Sequence, residues 1–342
     1  MFRVISQLED QSIVDENDNY LFVSRDTFLK EIINGESCFS CAKSIDERSD
    51  EHVIPDWVIR LCKLNHETIV LPNNARVRYV SYKVPCCRHC NELLASHYEQ
   101  PISTAFKQGF DAVAKLLDSE PERVFGWLNL ITFKTHLRDL SLRDKLDLRI
   151  ESGMIGDRYS WADFHHSHAV FRAPLCGTKI DRDVIGSICA MQVADYQTGG
   201  MFDYRDHLPS ETVFLRIGEI AIVTILSDSG AVLDMVEGRI FLNTGPNLLQ
   251  CAEVLTEYQL ASMHLKNRPE FMTQLNVQTG RLEIKAKLPE QKQVYPYSKD
   301  LRGELMWYNL QPFINIKNQH GQRLEELKDK VIRGSLTFMP SE

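Results

Sequence analysis

Two Cys-x-x-Cys knuckles, Cys38 with Cys41 and Cys87 with Cys90, constrain the fold of this chain more than any other feature. Each tight turn offers two thiolates, and two such turns supply the four ligands of a tetrahedral zinc site. The segment between them must then fold back so that both turns reach one ion. Cys87 has the two-residue gap to Cys90 that its neighbour Cys86 lacks, which makes it the better ligand, with Cys86 and His89 as substitutes. With thiolates in all four positions the zinc is structural, because no position is left open for a substrate. Cys62 falls beside the apolar face of an expected helix and reads as core.

Between the knuckles stands Glu51-His52-Val53-Ile54-Pro55, and Asn91 follows the last cysteine directly. A carboxylate, an imidazole and an amide oxygen are the parts that metal-assisted phosphodiester hydrolysis needs. Glu51 and Asn91 offer hard oxygen donors that suit a magnesium-like cation, a second ion distinct from zinc. On a regular extended segment Glu51 and His52 face opposite sides, so one shared site requires a twist or bulge.

Taken in order, Cys38, Cys41, the Glu51-to-Pro55 stretch, Cys87, Cys90 and Asn91 resemble the HNH, or ββα-metal, nuclease family. The resemblance covers residues 35–100. It implies that His52 is the general base and that Glu51 and Asn91 bind a catalytic Mg2+ or Mn2+. The variant with asparagine after the last cysteine is similar to phage Holliday-junction-resolving nucleases, which favours DNA over RNA as substrate. Asn74 and Asn73 are the candidates for the family's central asparagine, which orients the base. Ala95 stands where many members carry a second histidine, and His97 reads as an exposed side chain.

Charge gives a mixed signal. The net charge of −8 disfavours a protein that coats nucleic acid by bulk electrostatics. Arg76, Arg78, Lys83 and Arg88 nevertheless follow one another with no acid between them. That strip reads equally as a set of phosphate contacts and as a solvated strand face. The longest apolar runs, such as 220–226, are too short to span a membrane as a helix, and the first residues lack a secretory pattern. Nine cysteines, an odd number, argue against a full disulfide framework and for a reducing compartment, with cytoplasm as the expected location.

The chain of 342 residues has room for two domains. The expected division is an N-terminal extension over 1–34, the zinc-stapled nuclease module over 35–118, and a larger domain over 119–342 for recognition, sensing or partner binding. Residues 91–99 read as a helix that Pro101 interrupts, and 103–117 as a second helix. Residues 121–140 are apolar around most of a helical circumference, which predicts a buried helix of the larger domain. Short β-like runs then follow at 146–150, 168–171, 185–193, 213–217 and 220–226, separated by Gly, Asp and Ser clusters. No regular helix stands between each pair, so the sheet is expected to be mostly antiparallel. A helix is expected over 246–264. His165, His166 and His168 read as a surface cluster at a strand entry. The fold class is therefore α+β: a small ββα-metal module near the N-terminus and a larger α+β domain.

Three readings of function follow. The first is a zinc-stapled, Mg-dependent HNH endonuclease acting on DNA, with a protein partner or a second copy of the chain able to join through the larger domain. The second is a non-catalytic zinc module that binds nucleic acid or protein. The third, by fold-level analogy alone, is a nuclease effector in bacterial anti-phage defence.

Overall fold

In the computed structural model, which describes residues 5–195, 197, 200–236, 245–313, 321–334 and 337–338, the segment between the knuckles folds back on itself. Strand β1 (Arg48–His52) pairs antiparallel with β2 (Lys83–Cys87), and β2 runs directly into helix α1 (Arg88–Leu94). The register matches Arg48 with Cys87 and His52 with Lys83, and no bulge interrupts it. Pro85 sits opposite Asp50 within this two-stranded pair, where an edge position tolerates a residue without a donor. After α1 the chain widens into a π-helical turn, Ala95–Glu99, and continues as the helix Gln100–Gln108. Pro101 therefore lies in the first turn of that helix and does not interrupt the path. The break comes at Gly109, whose φ of 102° is a left-handed-region value that favours glycine. It separates Gln100–Gln108 from Phe110–Ser119, so the region expected as one helix forms two.

The chain divides into two compact units. Unit 1 holds residues 1–107, 116–184 and 271–286. Residues 119–184, expected in the larger domain, thus group with the knuckles. The reason is α2 (Pro121–Asp139), a helix with Pro121 in its first turn and buried residues on nearly every side. Phe133 of α2 meets Phe28, Phe39 and Phe171 at ring-centroid distances between 5.4 and 6.2 Å. Trp127 of the same helix stacks on Trp57 at 6.0 Å. Two of its buried polar side chains bond within the helix, Asn129 Nδ2 donating to the Phe125 carbonyl and Thr132 Oγ1 to the Leu128 carbonyl, both at 2.9 Å.

Two β-like runs in unit 1 are not strands. Residues 146–150 form a turn in which Asp147 accepts the Arg149 backbone N–H at 3.0 Å, and Leu148 is 77% exposed. Its alternating pattern finds no partner strand. Residues 168–171 belong to the helix Phe164–Arg172. There His165 bonds the Val23 carbonyl at 2.8 Å, His168 bonds the Phe39 carbonyl at 2.9 Å, and His166 stacks on Phe271 at 3.8 Å. This histidine cluster is packed core, not a surface group.

Unit 2 holds residues 108–115, 185–270 and 287–342. Its sheet contains β3 (Ile188–Gln192), β4 (Phe202–His207), β5 (Thr212–Ile217) and β6 (Ile220–Ile225), in the order β4-β5-β6-β3, all antiparallel. Every residue of β5 and β6 is buried, Arg216 included, whose guanidinium donates to the Gly200 and Gly218 carbonyls. Helix α3 (Leu248–Met263) packs Cys251, Val254, Leu255 and Tyr258 into the same core cluster as Met191, Phe214 and Val223. Its start is fixed by a capping box in which Asn247 and Gln250 bond each other's backbone N–H at 2.9 Å. Among the described residues no helix is long and apolar enough to cross a membrane.

Gly186, at the entry to β3, carries a testable consequence. A β-carbon there would overlap the carbonyl oxygen of Ile225, a backbone atom that cannot step aside. Gly186→Ala should therefore cost about 1–3 kcal/mol, the range for overpacking a filled core. Thermal unfolding of the variant measures it, and an unchanged melting temperature would show that the close approach is relaxed in solution.

Candidate metal centre and catalytic face

The ββα hairpin brings the two knuckles together at its root. The sulfur atoms of Cys38, Cys41, Cys87 and Cys90 all lie within 4.8 Å of one another. Tetrahedral Zn–S bonds of about 2.3 Å require sulfur separations of about 3.8 Å, and Cys41 and Cys87 stand 3.9 Å apart. Backbone N–H groups point at the sulfurs: Cys87 N–H at Cys38 and Cys90 N–H at Cys87, each at 3.4 Å. Hydrogen bonds from Cys41, Cys86 and Cys90 hold the Cys38 thiol well below its ordinary range, and the hydrogen bond with Cys38, then burial and the Cys38 charge, push Cys41 up to about 12. Four sulfurs this close suit a structural metal such as zinc, whose charge would offset that of its thiolate ligands. Cys86 adds a fifth sulfur, itself buried, 3.7 Å from Cys38. Cys62 is buried, as its place beside an apolar face implies.

The regular register of β1 sorts the remaining candidates onto two faces. Ser49 and Glu51 share one face with their partners Cys86 and Val84, while Asp50 and His52 share the other with Pro85 and Lys83. The twist or bulge needed to align Glu51 with His52 is absent from this strand. Asn91 lies on the Glu51 side, its amide nitrogen donating to Ser49 Oγ at 2.8 Å. That leaves the amide oxygen and the Glu51 carboxylate as hard donors on one face, a set whose chemistry suits magnesium or manganese.

Glu51, however, is only 6% exposed and already has a cationic partner. The Lys134 ammonium, fully buried on α2, donates to Glu51 Oε1 at 2.6 Å and to the His52 carbonyl at 2.7 Å. Glu99, in the π-helical turn, senses the same cluster: burial, reinforced by the Glu51 charge and opposed by Lys134, pushes its carboxyl up to about 7. Neither Lys134 nor Glu99 has a sequence signal that ties it to the knuckles, since each lies outside every motif. A lysine inside an apolar helix was the one available hint.

His52 is half-buried at the last position of β1. Burial, then the neighbouring Lys83 charge, lowers its pKa, which favours the neutral imidazole that a base requires, and a hydrogen bond that the ring donates to the Val80 backbone carbonyl works the other way. The Val80 backbone thus contacts the ring that the family's central asparagine would orient. Asn74 and Asn73 lie at the tip of the hairpin formed by strands Thr68–Val70 and Arg76–Arg78, and Asn73 bonds the Arg143 carbonyl at 2.7 Å. The four cations of the basic strip separate as well. Arg76 and Arg78 are exposed on that hairpin, Arg88 pairs with Glu47 at 3.4 Å, and Lys83 lines a cleft of about 960 Å3. Arg48, Asp50, Ser81 and Arg138 line the same cleft, so it runs along the His52 face of the hairpin. His97 is partly buried against Tyr98 at 4.7 Å, and burial lowers its pKa to about 4.

No family model, curated protein or solved structure matches this chain. What the site can do rests on its own geometry.

Elemental analysis of protein purified without added metal should find one zinc per chain. Cys90→Ser should lower that content and the melting temperature together, because structural zinc binding is folding free energy. Cys86→Ala should retain one zinc. Loss of zinc in Cys86→Ala with retention in Cys87→Ala would move the fourth ligand to Cys86.

Proposed function

We propose that unit 1 is a zinc-clamped, divalent-cation-dependent endonuclease of the HNH kind. The observation that supports it best is the β1–β2–α1 hairpin, rooted on four clustered thiols, with Asn91 held on the face that carries Glu51. In this reading His52 takes the proton of the attacking water, the role for which an imidazole with an unshifted value near neutrality is suited. Glu51 and Asn91 hold Mg2+ or Mn2+, which when bound offsets charge developing on the phosphodiester. His52 ends β1, so a phosphodiester crossing the strand end meets the imidazole from one side and the Glu51 face from the other. Lys83, beside His52, and the arginines Arg76, Arg78 and Arg88 bind the sugar-phosphate backbone without reading sequence. DNA is the expected substrate, and recognition of a partner falls to unit 2.

The competing reading is a non-catalytic zinc module that binds nucleic acid or protein. It is favoured by one feature, the ammonium of Lys134 already seated on Glu51.

Plasmid DNA incubated with the purified protein separates the two. The nuclease reading expects nicking that needs Mg2+ or Mn2+ and stops with EDTA. His52→Ala should lower the rate on the order of a hundred- to ten-thousand-fold, the usual cost of losing a general base, with zinc content and melting temperature kept. Wild-type nicking by a well-folded His52→Ala protein would remove the imidazole from the mechanism.

A further inference from the structure

A fully buried ammonium seated on the one carboxylate of a proposed cation site needs its own explanation. A salt bridge that only joined α2 to β1 would serve equally well at many places along the interface. Here it is made to the residue that precedes His52, and the same ammonium holds the His52 carbonyl. Glu51 keeps Oε2, and Asn91 keeps its amide oxygen, with no further hydrogen bond among the described residues. The carboxylate thus carries a positive partner before any divalent ion arrives.

Resting on the reading of Glu51 as a cation ligand, we infer that Lys134 is a built-in counter-cation that occupies Glu51 and sets how tightly the site takes Mg2+ or Mn2+. A divalent ion approaching Glu51 meets the like charge of the ammonium. It binds only as Lys134 withdraws or shares the carboxylate, and either course weakens binding. A glutamine at this position keeps a donor for Glu51 and for the His52 carbonyl while removing the charge. Lys134 is accordingly a positioning residue: it acts on the reaction through Glu51 and the His52 backbone.

The test is Mn2+ binding followed by electron paramagnetic resonance of the zinc-loaded, full-length protein, with no substrate and no turnover. Lys134→Gln should bind Mn2+ tighter by about tenfold or more, since one like charge at close range shifts such equilibria by one to three decades. Its melting temperature should be lower than that of wild type without Mn2+ and should recover as Mn2+ is added. Glu51→Gln should lose the site in both backgrounds. An affinity in folded Lys134→Gln that is unchanged or weaker, with Glu51→Gln inactive in binding, overturns the role of Lys134 and leaves the ligand reading standing. Wild-type Mn2+ binding by Glu51→Gln removes Glu51 from the site and takes both down.

A second measurement covers the case in which the variant does not fold. In wild-type protein carrying 13C-labelled lysine, the Lys134 Cε resonance, assigned by its loss in Lys134→Arg, should shift as Mg2+ is titrated in. Saturation of the site by Mg2+ with that resonance unmoved overturns the inference.

Discussion

The ion pair between Lys134 and Glu51 is the constraint around which unit 1 is arranged. A lysine with no exposed surface is tolerable only where a carboxylate and a carbonyl meet its protons, and here both come from adjacent residues of one strand. The two bonds fix the height and rotation of α2 relative to β1. Removing either partner would leave the other charge buried alone, a loss of about 3–5 kcal/mol. The aromatic packing of Phe133 and Trp127 adds area to this interface, but apolar contacts alone would tolerate small rotations of the helix. The ammonium does not.

The thiol cluster does different work. It gathers two turns that lie far apart in sequence into one group of sulfurs that could hold a structural metal. The root of the hairpin is thus closed by thiols, whereas α2 is set against β1 by side-chain charge. Cys86 stands at the junction of these two systems: its sulfur is near Cys38, and the Glu51 charge is among the influences that raise its pKa.

Local signals were legible and distant ones were not. The knuckle spacing led to the four clustered sulfurs, the apolar run 121–140 to α2, and the runs at 213–217, 220–226 and 246–264 to β5, β6 and α3. In each case the pattern and the structure share the same few residues. The Lys134 contact joins positions separated by 83 in sequence, and no local preference announces a salt bridge of that span. The division into units failed to show for the same reason: a polar stretch near 118 looks like a linker unless one knows that the helix after it returns to the knuckles. Residues 168–171 misled because His-Ala-Val-Phe has strand propensity, and tertiary bonds from the imidazoles to Val23 and Phe39 carbonyls settle it as helix.

The unbroken register of β1 has one more consequence. Glu51 and His52 are covalent neighbours, yet the pleat sends them into separate environments, one buried and charge-paired, the other on the face with Lys83 that borders the cleft. The separation is one of packing and not of charge: the Glu51 charge still raises the His52 pKa and the Lys134 charge lowers it, so a charge change on the buried face reaches the imidazole. Strand length matters as well. A single residue inserted between Glu47 and Glu51 would exchange the faces, turning the Glu51 carboxylate away from the Lys134 ammonium and leaving that buried charge without its partner. The number of residues in the strand is therefore fixed by the helix it faces.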